Sequence, residues 1–328
     1  MYDLEVGRVL AEVEGSSRIL VQAPDGIKPY LGELLDALSR VGEVLLSGSH
    51  AWGGCDIAVE EARRVGAECI VHVGHHGPVR VELPRDIRVV FVPAYCRAGV
   101  ARAVESALDQ LGECERVGLL CSIQHAREVP RAAEILRREG VEVVVGRAGD
   151  PRMAAGQVIG CDVSAAVSIA GKVDAFLVVA GGFFHAAGVY AKTGTRTLAL
   201  DPFRGSAVDV EEYVRRKYAL HLDALCKASE ARELGVIVCT KPGQCRLAEA
   251  LRARELLERA GRRARLVVLG DVDGERLANL GLEAFVNTAC PRLSFDDQDR
   301  LGVPVVWVGE LEYVLGREIS EHELREVF

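Results

Sequence analysis

The chain has 328 residues, 49% of them hydrophobic, and a formal net charge of −8. Such a length accommodates two or three domains of roughly 100 to 200 residues, and the acidic balance argues against a general binder of nucleic acid or of membrane surfaces. The opening stretch MYDLEVGRVLAEVEGSS mixes acidic with apolar residues, so it reads as neither a signal peptide nor a membrane span, and the expected location is the cytoplasm.

Along the chain, short β-rich runs bounded by turn residues recur in three sets of four. The first set is RILVQA, EVLLSG, CIVHVG and RVVFVP; the second is VGLLCS, VEVVVG, AFLVVA and TLALD; the third is GVIVCT, RLVVLG, AFVNTA and VVWVG. Continuous apolar strands separated by amphipathic segments fit parallel sheets buried on both faces. Between the first two runs, Leu31, Leu34, Leu35 and Leu38 repeat at i, i+3, i+4, i+7 and predict a helix with one buried face. The fold class is therefore α/β, read as an internal triplication of three small parallel-sheet domains at 1–98, 99–205 and 206–328. The charged helical stretch VEEYVRRKYALHLDALCKASEARE marks the second boundary. The basic group Arg262, Arg263 and Arg265 reads as a solvated helix end.

Ten cysteines without secretion signals read as reduced thiols, available for packing, redox chemistry or metal binding. No two stand as C-x-x-C, so local zinc-finger and ferredoxin patterns have no support. WGGCDIAVEEA and VIGCDVSAAVS share the pattern G-C-D-[IV] after the second strand of their sets. The Asp after each thiol reads as a helix start, which would put Cys55 and Cys161 at the positive end of a helix dipole, where thiolate is favoured. The third unit offers Cys290 before Pro291, in NTACPRLSFDD. All three follow strands, at the edge where open α/β sheets place their ligands. Cys69, Cys121, Cys226 and Cys239 read as core packing, and Cys96, Cys114 and Cys245 have no second ligand nearby in sequence.

Three soft thiolates without a fourth suit an iron-sulfur cluster or an open zinc site. A 4Fe-4S cube on three cysteines leaves one iron free to bind a substrate. At the same strand ends lie Gln22, Asp25 and Gly26, then His72, His75 and His76, then His125 and His185, and finally Lys241 and Gln244. The histidines stand between structural and ligand roles. There is no G-x-G-x-x-G and no P-loop.

PDGIKPY (24–30), GGCDIAVEEA (53–62), VHVGHHGP (71–78), GQVIGCDVSAA (156–166), TKPGQ (240–244) and VNTACPRLSFDD (286–297) together resemble the archaeal diphthamide synthases. The stretches span all three units. The resemblance implies one cluster cysteine per unit, Cys55, Cys161 and Cys290, around a 4Fe-4S cluster whose free iron binds S-adenosylmethionine. It also implies reductive cleavage of the Cγ–S bond and transfer of the 3-amino-3-carboxypropyl radical to C2 of a histidine imidazole on translation elongation factor 2. With it come a homodimer, an external low-potential reductant, and contacts to S-adenosylmethionine from Asp25, Gly26, His75, Lys241 and Gln244. Quinolinate synthase, also triplicated with one cluster cysteine per repeat, is the alternative enzyme; a non-catalytic ligand-binding α/β protein is the second alternative.

Overall fold

A computed structural model of the chain describes residues 1–317; the remainder of the expected third unit, 318–328, lies outside the described residues. Its strands in chain order are β1 (Tyr2–Asp3), β2 (Arg18–Gln22), β3 (Glu43–Leu46), β4 (Cys69–Val73), β5 (Arg88–Val92), β6 (Tyr95–Cys96), β7 (Arg116–Cys121), β8 (Glu142–Val144), β9 (Ala175–Val179), β10 (Thr197–Asp201), β11 (Ser206–Asp209), β12 (Glu233–Cys239), β13 (Arg263–Leu269), β14 (Ala284–Asn287) and β15 (Val305–Trp307).

All twelve runs read from the sequence are strands. They form three sheets of order β3-β2-β4-β5, β8-β7-β9-β10 and β13-β12-β14-β15, each parallel throughout these four strands. Each sheet thus follows the same order, second-first-third-fourth. The alternation of side chains along each strand gives every sheet a core on both faces. In the first, Ile19 and Val21 face one core while Leu20 and Ile70 face the other. Leu119 and Leu177 oppose Leu120 and Phe176 in the second, and Val236 and Val286 oppose Ile237 and Phe285 in the third. The helix Gly32–Leu38 packs its predicted face, with Leu31, Leu34 and Leu38 buried.

Three strands lie outside the reading. β11 adds an antiparallel fifth strand to the second sheet, so that sheet runs to Asp209, past the expected limit at 205. β1 pairs antiparallel with β6 and ties the N-terminus to the end of the first unit.

The basic group near residue 263 is not a solvated helix end. Arg263 and Arg265 lie on edge strand β13, and Arg262 turns inward to donate to the carbonyls of Ala228, Ser229, Ala231 and Val314. It thereby satisfies the orphan carbonyls that end the helix Glu211–Glu230. Cys226, on that helix, is exposed instead of buried in a core.

Candidate functional site

In each sheet the first and third strands are neighbours whose connections leave in opposite directions, which opens a crevice at their C-terminal ends. The three crevices supply the residues singled out from the sequence, and loops from one unit reach into the next.

Cys55 lies in a turn closed by Asp56 N–H on Gly53 O at 2.9 Å, ahead of the helix Val59–Val65. Cys161 lies in the tight turn between Ile159 and Asp162, whose backbones exchange hydrogen bonds of 2.9 and 3.2 Å. Neither thiol is at a helix N-terminus. Asp162 accepts from Ser164 N at 2.8 Å and so starts the short helix beyond the cysteine, while Asp56 is engaged by Trp52 N and by Lys241. The cysteine in that position is Cys290, which precedes the helix Pro291–Asp296; Asn287 Nδ2 donates to its carbonyl at 2.7 Å.

The glycine before each repeated thiol has a steric cause. A Cβ on Gly54 would stand 2.0 Å from Gly77 O, and one on Gly160 would stand 2.3 Å from the Phe184 ring.

Burial pushes the Cys55 and Cys290 thiols up and Cys161 to about 11, so helix dipoles do not make standing thiolates here. The smaller causes locate the sulfurs. Cys290 raises Cys55, and both Cys290 and Cys55 raise Cys161, so the fold brings one thiol from each unit within electrostatic reach of the other two. Among the described residues, no three thiol, imidazole or carboxylate groups gather tightly enough to hold a single metal ion. A cube in which every thiolate meets its own iron spaces the sulfurs more widely than one ion does.

The first unit's histidines form a relay whose proton positions follow from the backbone. Gln22 Nε2 donates to Asp56 O at 2.7 Å, and its Oε1 accepts from Ala58 N at 3.0 Å, which fixes the amide. His72 Nδ1 at 2.9 Å therefore donates to that Oε1, and His72 Nε2 accepts from His75 Nδ1 at 2.8 Å. Burial holds His72 down at about 4 and His75 well below the usual imidazole range, so both are neutral and His75 Nε2 keeps its lone pair. His76 pairs instead with Gln157 of the second unit at 2.9 Å. The ring nitrogens His125 Nδ1 and His185 Nδ1 are buried with no protein partner, which is costly unless a ligand or water completes them.

Lys241 bridges Asp271 at 2.9 Å and Asp56 at 3.1 Å, joining third unit to first and retaining one of its three N–H donors. Asp25 is exposed, held by Lys28 at 2.7 Å and by His50, and Gly26 beside it is also exposed. Gln244 reaches the Cys55 sulfur at 3.3 Å.

Sequence reasoning missed Arg292. Buried, it pairs with Asp296 one helical turn on and donates to Gly160 O at 3.1 Å and Phe184 O at 2.7 Å, tying the Cys290 loop to the Cys161 loop. Its signal was the i, i+4 Arg–Asp spacing inside PRLSFDD. Trp52 and Asp271, linked at 3.1 Å across the first and third units, carried no such signal.

A family model described as "Putative diphthamide synthesis protein" matches residues 23–325. A 2-(3-amino-3-carboxypropyl)histidine synthase from Pyrococcus horikoshii is 36% identical over the whole of this chain and 94% of its own length. Subunit 1 of the human enzyme of that name is 25% identical over 90% of this chain and 68% of its own length. Among solved structures, that of Dph2 from Pyrococcus horikoshii with a 4Fe-4S cluster superposes with a TM-score of 0.83 at 34% identity, covering 98% of this chain and 94% of that one.

Proposed function

The chain belongs to the diphthamide synthesis protein family, and from that premise we propose that it transfers the 3-amino-3-carboxypropyl group of S-adenosylmethionine to C2 of a histidine imidazole on translation elongation factor 2, the first step of diphthamide biosynthesis. It is a transferase that uses a 4Fe-4S cluster, with S-adenosylmethionine as substrate and a protein as acceptor. Elongation factor 2 as that protein, an external low-potential reductant, a homodimer and a cytoplasmic location are parts of the proposal. No helix among the described residues is long and apolar enough to cross a membrane.

The observation that carries the reading is the convergence of Cys55, Cys161 and Cys290, one thiol from each sheet and separated by more than a hundred residues in sequence: Arg292, two residues after Cys290, donates to Gly160 O beside Cys161, while Cys290 lies within electrostatic reach of Cys55 and both lie within reach of Cys161. We assign these three to the cluster. When bound, it supplies a low-potential electron to the sulfonium's Cγ–S bond and a free iron site that orients it.

The remaining side chains bind and orient. Lys241, with one N–H free after its two carboxylates, suits the methionine carboxylate. His75 Nε2 suits an N–H of the methionine amine. Asp25 and Gly26 line the exposed rim. Gln244 completes the expected set, and it already bonds a sulfur of this chain.

Anaerobic reconstitution with iron and sulfide, then dithionite and S-adenosylmethionine, tests the reading. Methylthioadenosine is the expected product, and single Ala replacements of the three cysteines should each reduce bound iron sharply. Release of 5'-deoxyadenosine, or conversion of iminoaspartate with dihydroxyacetone phosphate, would overturn it.

A further inference from the structure

Gln244 ends the turn Pro242–Gln244 that follows β12 in the third unit, yet its side chain acts on the first. Its Nε2 lies 3.3 Å from Cys55 Sγ. The other end of the amide, Oε1, lies 3.6 Å from the thiol of Cys239, the last residue of β12, which is itself buried and 3.5 Å from Gly270 O. Once Cys55 is a thiolate, only an N–H can face it favourably, and the neutral Cys239 thiol can donate to the oxygen left on the far side. The thiolate thus fixes the amide, and the oxygen on its far side is one of two acceptors, with Gly270 O, within reach of the single Cys239 S–H.

The turn is pressed into place by its backbone. Gly243 N donates to Cys55 O at 2.8 Å. A Cβ on Gly243 would stand 2.7 Å from Cys55 Cα and Cβ and 2.4 Å from Val79 O, so no other residue fits without moving the Cys55 loop. Lys241, at the start of the same turn, bonds Asp56. Residues 241, 243 and 244 therefore grip 55 and 56 at three points.

We infer that Gln244 is a positioning residue: its amide donates an N–H···S hydrogen bond that fixes the Cys55 sulfur and raises the reduction potential of the cluster held there. The inference rests on the reading that Cys55 is a cluster ligand. Reduction places added negative charge partly on the ligand sulfurs, so a donor to sulfur stabilises the reduced state more than the oxidised one, and the protein sets potential through such contacts. Gln244 acts on the potential through the Cys55 sulfur.

The test compares wild type with Gln244→Leu, which keeps most of the shape and loses the donor, and Gln244→Glu, which replaces the donor with a carboxylate. Each is reconstituted anaerobically, iron and sulfide per chain are measured, and the midpoint potential is read by mediated titration followed by electron paramagnetic resonance. A lower potential in the Leu variant at wild-type iron content, and a still lower one in the Glu variant with less iron, is the expected pattern. Equal potentials in loaded wild type and variants would overturn it, because a purely structural side chain changes loading alone. If the Leu variant does not fold, the Glu variant, nearly isosteric with the native residue, decides the matter: a potential below wild type supports the inference and an equal one overturns it. Wild-type protein that takes up no cluster would overturn the underlying reading, and that outcome is seen before any variant is compared.

Discussion

His72 and His125 are almost wholly buried, and burial holds both at about 4, well under the 6.5 or so of an unfolded imidazole. Above pH 6.5 both states carry neutral rings. Between about 6.5 and 4 the unfolded chain takes up a proton at each ring while the folded chain does not, so stability present at neutral pH is lost as pH falls. The loss approaches roughly 1 kcal/mol per histidine per pH unit in that window. Urea unfolding of the metal-free protein should show a lower midpoint at pH 5.5 than at 7.5, and His125→Gln should reduce the slope by about one proton. Equal midpoints at the two pH values would sink the account. The thiols show what one sequence allows at this scale: the repeated Gly-Cys-Asp identified the positions of Cys55 and Cys161. Their environment was illegible, because where Asp56 and Asp162 send their carboxylates depends on Lys241, Trp52 and Ser164, and only Ser164 and Trp52 are near in sequence.

At the scale of elements, the twelve parallel strands were legible because a strand buried on both faces is an unbroken apolar run, and RILVQ or AFLVV has no other easy reading. β11 was not, since SAVD is short, polar at both ends and edge-located, and is defined by its pairing with β10. The helix Pro291–Asp296 shows an element whose sequence is local and whose role is distant. Its Arg292 meets Asp296 within the helix, but the same guanidinium carries Gly160 O and Phe184 O of the second unit. Arg292→Met would leave a buried carboxylate and two carbonyls without their donor. Removing one member of a buried pair costs about 3–5 kcal/mol, so we expect a loss of that size by denaturant titration, together with lower iron uptake as the Cys161 and Cys290 turns separate. Arg292→Lys should recover part of the stability by keeping the charge, but it cannot reproduce the forked contacts.

The three units close on one another pairwise. Gln124 donates to Gly74 O at 2.5 Å and Arg127 pairs with Asp3 and Glu5 between second and first; Arg292 joins third to second; Lys241, Gly243 and Gln244 join third to first. Each sheet has its own two cores, and one core of the second sheet also takes in Val210, Val214 and Phe295 of the third unit, so these polar contacts together with that shared apolar packing set how the thiols face one another. A ligand that needs all three sulfurs then binds the closed arrangement and not the unfolded chain, and mass action converts that preference into stability. Cluster insertion should therefore raise the melting temperature of the whole molecule in one cooperative step, measured anaerobically by calorimetry before and after reconstitution. Chelation of the iron should return it to the metal-free value. In Cys161→Ala the rise should largely vanish although the fold of the metal-free protein is kept, because the second unit no longer contributes a ligand to the closed ring. A melting temperature indifferent to cluster content, or one raised equally in that variant, would show that the three sulfurs do not act on one bound group.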